Sequence, residues 1–194
     1  MSGEAKGRLG VISGPSGSGK TSICRALARD PQVFFSVSAT TRPKRPGEVE
    51  GVDYWFLPEE EFRAKASRGE FLEWAQYNGR FYGTLRKPVE DAIGAGKVAL
   101  LEIELQGATR LREDGVEGTY IFIEPPSMEV LEERLRKRGT ETEEEIRKRL
   151  EIARREWTQA RSGDVYDHFV RNDDLERAGR EVRALLGLEE EGGS

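Results

Sequence analysis

The chain has 194 residues and a mass of 21.8 kDa, which fits one domain, or one core with an insertion, and is long enough to bury a sizeable core. A net charge of −5, one cysteine and one histidine exclude a broadly basic nucleic-acid binder, an internal disulfide framework, a cysteine-built metal site and a mechanism with paired histidines. No apolar run approaches the roughly 18 residues of a membrane span, and residues 1–6 lack an apolar signal-peptide core, so we expect a cytoplasmic protein without membrane or nucleic-acid partners.

The first elements along the chain predict the opening of a mononucleotide-binding α/β unit. Residues 8–13 form an apolar run typical of a buried strand, and a glycine-rich loop follows at residues 14–21. Residues 22–29 carry apolar side chains at helical spacing until Asp30 and Pro31 end the helix. Strand, glycine loop and helix in this order favour an α/β fold with a parallel sheet.

A different pattern between residues 39 and 96 predicts an inserted subdomain. Prolines and glycines interrupt this segment, and short aromatic-rich stretches follow them. We expect short strands with one helix at Glu59–Ser67. A strand at Phe34–Ser38 precedes the insert, and a helix at Arg86–Ala95 leads back to the core.

The remainder of the chain returns to alternating strands and helices. Ser127 fits a helix N-cap, and Thr142 with Glu145 fits a capping box at the start of a long helix. In chain order we predict a strand at 97–104, helix 106–113, strand 119–123, helix 127–138, the long helix, strand 168–170 and helix 175–186.

The segment Gly14–Thr21 matches the phosphate-binding pattern G-x-x-x-x-G-K-[ST]. Polyphosphate needs many donors close together, and backbone N–H groups supply them where glycines keep side chains away. Lys20 adds a positive charge for the β- and γ-phosphates, and Thr21 offers a hydroxyl to Mg²⁺. The flanking strand and helix favour a nucleotide site over a glycine-rich surface turn. We expect the loop's ATP-binding residues to be Gly14, Ser16, Gly17, Ser18, Gly19, Lys20, Thr21 and Ser22.

A second group of candidate residues begins in the Pro- and Gly-rich segment after residue 38. Arg42 and Arg45 suit a phosphate because guanidinium groups match phosphate oxygens in a bidentate manner. Tyr54 and Tyr82 offer hydroxyls to the same group. From these residues alone, a solvated basic loop explains the pattern equally well.

Further short motifs stand at the spacing of a single family's signature. They are Thr41-Arg42, Arg45, Glu48, Gly51, Tyr54, Phe56, Glu73-Trp74-Ala75, Tyr82-Gly83-Thr84, Gln106-Gly107, Pro125-Pro126, Arg138-Gly139-Thr140-Glu141-Thr142 and Asn172-Asp173. Through them the chain, from about residue 9 to 186, resembles the guanylate kinase family. The resemblance implies a P-loop enzyme that phosphorylates GMP to GDP with ATP and Mg²⁺, and it leaves the oligomeric state open.

The resemblance places GMP in the inserted subdomain, where Glu73 would read the base together with Ser38 and Thr84. Guanine carries N1–H and N2–H₂ side by side, so one carboxylate can accept hydrogen bonds from both. Adenine has neither donor and would leave a buried carboxylate unpaired. The implied GMP-binding residues are Ser38, Arg42, Arg45, Glu48, Tyr54, Glu73, Tyr82, Thr84, Glu102 and Glu104.

The resemblance also implies a lid that folds over the ATP phosphates. Arg134, Arg138 and Arg149 flank Gly139 and match the family's lid arginines, and Asn172 matches its contact on the adenine side. The alternative for the three arginines is a helix surface paired with nearby glutamates. The expected catalytic residues are Lys20, Arg42, Arg134, Arg138 and Arg149.

Two glutamates at the end of a predicted strand depart from the family's pattern. Glu102 and Glu104 stand where many members have aspartate. They are expected to orient GMP and the waters on Mg²⁺, with Thr21 and Glu102 as the metal pair, Glu102 through water. Which glutamate faces the metal is left open.

We expect a single guanylate-kinase-like domain made of a core, an insert and a lid. The core covers about 8–37, 86–137 and 160–186, the GMP-binding insert about 38–85, the lid about 138–159, and a frayed tail 187–194.

The implied reaction needs no general base. The second pKa of a phosphate monoester is about 6, so GMP is mostly a dianionic nucleophile at neutral pH. The protein must instead position two polyanions and cancel their repulsion. Two alternatives are a kinase of another small molecule such as a ribosyl phosphate, and an inactive module that binds phosphopeptides. Glu73 with Thr84 disfavours the first, and the intact phosphate loop disfavours the second.

Overall fold

The computed structural model describes residues 7–77, 79–137 and 142–188. Numbered along the chain, its strands are β1 Arg8–Ser13, β2 Val33–Phe35, β3 Ala39–Thr40, β4 Trp55–Phe56, β5 Phe71–Tyr77, β6 Arg80–Leu85, β7 Val98–Glu102, β8 Thr119–Glu124 and β9 His168–Arg171. Its helices are α1 Lys20–Leu27, α2 Glu59–Ser67, α3 Arg86–Gly94, α4 Leu105–Glu113, α5 Met128–Lys137, α6 Glu143–Ser162 and α7 Leu175–Leu185. All of these helices are too short or too polar to cross a membrane.

Five strands form the parallel sheet that the sequence predicts, in the order β2-β7-β1-β8-β9. The alternation of the strands splits the core between the two faces of this sheet. Val11 and Ile12 are neighbours in β1 but lie in different hydrophobic clusters. Because the carboxyl ends of parallel strands meet at one edge, Ser13, Glu102 and Glu124 end their strands on the same side of the molecule.

The predicted insert forms a second sheet of four short strands, in the order β4-β3-β6-β5. Strands β5 and β6 are antiparallel, and a register shift between Phe71 and Glu73 marks a bulge in their pairing. This sheet has its own small core, in which Phe62 of α2 stacks on Phe71 and Phe81 with ring centroids 4.3 and 5.5 Å apart.

The structure corrects several predicted boundaries, each for a tertiary reason. The strand expected at Phe34–Ser38 ends at Phe35. The Ser36 backbone N–H still donates to the Leu100 carbonyl of β7, and the chain then leaves the parallel sheet to reach β3 in the other one. The strand expected at residues 97–104 ends at Glu102, since Glu104 is already the N-cap of α4. Residue 188 was expected in the frayed tail but is buried, while residues 189–194 lie outside the described part.

The predicted capping box is present at the start of α6. The Thr142 hydroxyl accepts a hydrogen bond from the Glu145 backbone N–H, and the Glu145 carboxylate accepts one from the Thr142 backbone N–H. We expect Thr142→Ala to lower the free energy of unfolding by about 1 kcal/mol, because backbone donors of the first turn lose a partner. Urea unfolding checks this value, and Thr142→Ser, which keeps the hydroxyl, should retain most of the stability.

Candidate active site

The phosphate loop connects β1 to α1 at the carboxyl edge of the parallel sheet. Gly14, Gly17 and Gly19 all have positive φ angles, of 153°, 90° and 94°. Gly19 is the N-cap of α1, and because glycine has no side chain it cannot cap the first N–H groups of the helix. Uncapped N–H groups and the helix dipole together make this end of α1 suited to an anion.

Asn172, which directly follows β9, holds the phosphate loop through a hydrogen bond to its backbone. Its side chain is 3% exposed, and its Nδ2 donates a hydrogen bond to the Ser18 carbonyl over 2.7 Å. A Cβ atom at Gly19 would lie 2.2 Å from that nitrogen, so this position requires glycine for space as well as for its φ angle. The amide expected on the adenine side therefore contacts the loop itself in this structure.

Two of the three expected lid arginines contact the same loop. Arg134 on α5 donates to the carbonyls of Ser18 and Asn172, over 3.4 and 3.0 Å. Arg149 on α6 donates to the Ser16 hydroxyl over 3.0 Å. The third, Arg138, lies outside the described residues.

A threonine and a glutamate meet beside the loop. The Thr21 hydroxyl donates to Glu102 Oε1 over 2.5 Å, so β7 and α1 bring together the two residues predicted as the metal pair. Glu104 lies two residues further on, at the N-cap of α4. Glu102 is thus the glutamate that contacts the loop.

Glu156 on α6 has a strongly shifted pKa and was not among the residues predicted for the site. Burial and the nearby Glu104 carboxylate raise the pKa of Glu156 to about 7, although Lys20 acts in the opposite direction. The charges that act on this carboxyl are those of Glu104 and Lys20, two residues expected at the substrate sites. No local pattern distinguishes Glu156, because it is one of many acidic residues on a highly charged helix.

Arg42 belongs to a cluster of arginine, glutamate and tyrosine in the insert. Its guanidinium donates to both oxygens of Glu48, over 2.6 and 3.0 Å, and the Arg45 backbone N–H donates to Glu48 Oε2 over 2.7 Å. Arg42 also lies 5.3 Å from the ring centroid of Tyr54, which meets Tyr82 edge-on at 6.1 Å. Burial raises the pKa of Tyr54 to about 12, so its hydroxyl keeps the proton that it can donate. The four residues expected to hold a phosphate are brought together at one end of the insert.

Glu73 and Thr84 form a buried polar pair between the insert and the core. They are direct cross-strand neighbours in β5 and β6, and the Thr84 hydroxyl donates to Glu73 Oε1 over 2.7 Å. The Glu73 side chain is 6% exposed, and its burial raises its pKa. A Cβ atom at Gly107 of α4 would lie 2.7 Å from Oε2, so the core helix packs directly against the carboxylate. Ser38, the third expected base contact, lies at the start of the insert, where its carbonyl accepts the Trp55 N–H over 2.9 Å.

Comparison with known proteins decides which family has this arrangement. The guanylate kinase family model matches residues 6–189. The chain belongs to the guanylate kinase family. It is 47% identical over 185 residues to a guanylate kinase of Carboxydothermus hydrogenoformans, a match that covers 95% of this chain and 89% of the relative.

Other members of the guanylate kinase family support this assignment in sequence and in structure. A guanylate kinase of Symbiobacterium thermophilum is 48% identical over 190 residues, covering 97% of this chain and 89% of the relative. The crystal structure of guanylate kinase from Anaplasma phagocytophilum has a TM-score of 0.76 and 35% sequence identity, with 94% and 86% of the two chains covered. The parallel sheet with a separate four-stranded sheet is therefore the fold of this family, as the sequence resemblance implied.

An ion pair that was not predicted also joins the core of this guanylate kinase to its insert. Arg25 of α1 donates to Asp53 Oδ1 over 2.8 Å, and Asp53 Oδ2 accepts the Val49 backbone N–H. The bridge ties the loop before Tyr54 to the helix after the phosphate loop. Its two members are 28 residues apart, and nothing in their local sequence pairs them.

Proposed function

We propose that this guanylate kinase transfers the γ-phosphoryl group of ATP to the phosphate of GMP, giving ADP and GDP, and that the residues described above carry out the transfer. The observation that carries the assignment of roles is the pairing of two sites in one chain. A phosphate loop with Lys20 and Thr21 lies at the edge of the core, and a buried Glu73–Thr84 pair lies in the insert. The first suits a triphosphate, and the second suits a base with adjacent donors.

Glu73 is proposed to accept hydrogen bonds from N1–H and N2–H₂ of guanine. The Thr84 hydroxyl already donates to its Oε1 and thereby fixes the orientation of the carboxylate. Adenine would place an acceptor against this buried oxygen pair, and a buried carboxylate without donors is unfavourable by about 1–3 kcal/mol or more. The site therefore favours GMP over AMP.

Arg42, Arg45, Tyr54 and Tyr82 are proposed to hold the phosphate of GMP. The Arg42 guanidinium is held by Glu48, so its orientation is set before the substrate arrives. The protonated Tyr54 hydroxyl donates to the phosphate without adding negative charge. Cations and neutral donors thus surround a dianion that is itself the nucleophile.

Lys20 and the lid arginines are proposed to neutralise the ATP phosphates during transfer. Arg149 and Arg134 already contact Ser16 and the Ser18 carbonyl, so their charges lie beside the loop that would hold the triphosphate. Charge placed in advance at the transferring group stabilises the transition state without further reorganisation.

Mg²⁺ is the proposed cofactor, and the residues present fit it. Thr21 and Glu102 offer adjacent hard oxygen ligands at the start of α1, 2.5 Å apart. Within the described part of the chain, no group of three acidic, histidine or cysteine residues could hold a metal. One or two protein oxygens are sufficient for Mg²⁺, which usually keeps several waters and binds substrate phosphates as well. When bound, the ion held by Thr21 and Glu102 would supply positive charge that offsets the charge of the phosphates.

Arg138 remains a predicted lid residue. We expect Arg138→Ala to lower kcat by about tenfold to a hundredfold and to change GMP affinity far less, because its contact forms chiefly in the closed, transition-state-like complex. Steady-state kinetics and calorimetric titration with GMP measure the two effects.

Closure of the lid and the insert over the core is tested by small-angle scattering, which should show a smaller radius of gyration with both nucleotides bound than with neither. An unchanged radius together with a wild-type kcat for the variant would contradict closure.

Calorimetry without ATP tests the proposed assignment of the GMP site. GMP should bind the wild-type protein alone, and AMP should bind at least about tenfold more weakly. Equal affinities for GMP and AMP would contradict the role of Glu73.

The cytoplasmic location is likewise a proposal, which cell fractionation with an antibody against the chain would test.

A further inference from the structure

A buried carboxylate outside the substrate sites fastens the end of α6 to the parallel sheet. Glu124, the last residue of β8, is 4% exposed. Its Oε1 accepts from Trp157 Nε1 over 2.5 Å and from Arg161 Nε over 2.6 Å, and its Oε2 accepts from Arg161 Nη2 over 2.6 Å. The Arg161 guanidinium also lies 4.2 Å from the ring centroid of Phe169 in β9.

These contacts make a strong and directional restraint. The pairing of Arg161 with Glu124 is bidentate and charge-assisted, which fixes the angle as well as the distance between helix and strand. Trp157 and Arg161 are four residues apart on one face of α6, so both hold the same stretch of helix. Loss of either partner would leave the buried carboxylate short of a donor.

Glu124 also lies next to Asn172, which supports the phosphate loop, and shortly before α5. Its carbonyl accepts the backbone N–H of Asn172, whose side chain holds the Ser18 carbonyl of the phosphate loop. Helix α5 begins four residues later, at Met128. A change in the Glu124 side chain therefore acts where α6 is attached to the parallel sheet, which we call the fixed end of α6.

The geometry of α6 connects this fixed end to a charge beside the phosphate loop. Arg149 precedes Arg161 by twelve residues, which is about 18 Å along a helix. At that distance, a rotation of α6 by roughly 10° about its fastened end would move Arg149 by about 3 Å. Such a displacement would break its 3.0 Å hydrogen bond to the Ser16 hydroxyl.

We propose that Glu124 is a positioning residue for phosphoryl transfer, which sets the angle of α6 through Arg161 and Trp157 and so places Arg149 at the phosphate loop. The inference rests on the proposed role of Arg149 at the ATP phosphates. Glu124 itself touches neither substrate.

A double-mutant cycle with Glu124→Gln, Arg149→Ala and the double variant tests this inference. Glu124→Gln keeps the shape and size of the side chain but removes the charge that holds Arg161. It should lower kcat by about tenfold or more and change KM for GMP by less than about twofold, because the Glu124 side chain contacts Trp157 and Arg161 of α6 rather than the residues proposed to hold GMP. In the Arg149→Ala background, the same change should alter kcat by less than about twofold, because the group that it misplaces is gone.

The controls separate positioning from a general loss of stability. Glu151→Gln removes a surface ion pair with Arg155 on the same helix, and it should leave kcat unchanged. Thermal unfolding of each variant reports whether it folds. If Glu124→Gln does not fold, Arg161→Lys gives the same cycle, since it keeps the charge and loses the bidentate contact.

The two possible failures are distinguishable. An equal loss of kcat from Glu124→Gln in both backgrounds, or a wild-type kcat for Glu124→Gln, overturns the role of Glu124 alone. A wild-type kcat for Arg149→Ala overturns the proposed role of Arg149 and this inference with it.

Discussion

Lys20→Ala is expected to lower kcat by about 100- to 1,000-fold while leaving GMP affinity nearly unchanged. Lys20 is the first residue of α1, directly after the glycines of the phosphate loop, and is only 9% exposed, so its charge is largely shielded from solvent. Removing a preorganised charge from a transferring phosphoryl group has effects of this size. Glu73, Tyr82 and Thr84 of the proposed GMP site lie in the separate four-stranded sheet, so we expect their geometry not to depend on Lys20.

Two measurements on the purified variant check this expectation. Steady-state turnover gives kcat, and calorimetric titration with GMP in the absence of ATP gives the affinity. Lys87→Ala serves as the matched control, because Lys87 lies on the surface of α3 in an ion pair with Asp91 and should have no effect on either quantity. A loss of GMP affinity as large as the loss of kcat would contradict the division into a donor site and an acceptor site.

Glu73→Gln is expected to reduce kcat/KM for GMP by about 10- to 100-fold and to narrow the preference for GMP over AMP. The glutamine amide can accept one hydrogen bond, but it sets its own donor against the donors of guanine. A lost hydrogen bond to a charged group is worth about 1.5–3 kcal/mol, which corresponds to this range. Specificity constants for GMP and AMP, measured side by side, test the expectation. An unchanged ratio would show that Glu73 does not read the base.

The raised pKa of Glu73 predicts that the difference in kcat/KM between wild type and Glu73→Gln depends on pH. Burial raises the pKa of its carboxyl, so the wild-type residue takes up a proton at a higher pH than an exposed glutamate does. A protonated Glu73 can no longer accept from both guanine donors. The difference in kcat/KM for GMP between wild type and Glu73→Gln should therefore shrink as the pH falls. A constant difference down to pH 5 would contradict the role of the carboxylate charge.

The same burial has a consequence for folding. Because the pKa is higher in the folded state than in the unfolded chain, stability from this group is fully present below the unfolded pKa and is lost as the pH rises through the folded pKa. At pH 7 the charged Glu73 is thus unfavourable for folding. Thermal unfolding of Glu73→Gln at pH 7 should therefore show a melting temperature equal to or above that of wild type. Such a result would also show that the variant folds, so that its loss of activity does not come from misfolding.

Patterns within short segments predicted most of the fold. The helix at Glu59–Ser67 and the capping box of Thr142 and Glu145 follow from local spacing, and the structure confirms both. The end of β2 could not be predicted in this way. Residues 36–38 resemble a continuing strand, and only the position of the second sheet turns them into a connection.

The residues of the candidate site also differ in whether local sequence predicts them. The phosphate loop is predictable because its chemistry lies in eight consecutive residues. Local sequence does not show whether Glu102 or Glu104 contacts Thr21, because the contact depends on how β7 ends beside α1. Glu124 and Arg161 are 37 residues apart, and sequence pattern carries no distance between residues that far separated.

The release of ADP after adding different acceptors to the purified chain with ATP and Mg²⁺ tests the central claim most directly. Four parallel assays would contain GMP, AMP, dTMP or no acceptor. Rapid ADP release with GMP, and release near the background rate in the other three, is the result predicted from the buried Glu73–Thr84 pair beside a complete phosphate loop. Release at one rate whether or not GMP is present, or equally fast with AMP, would contradict a GMP-specific phosphotransferase.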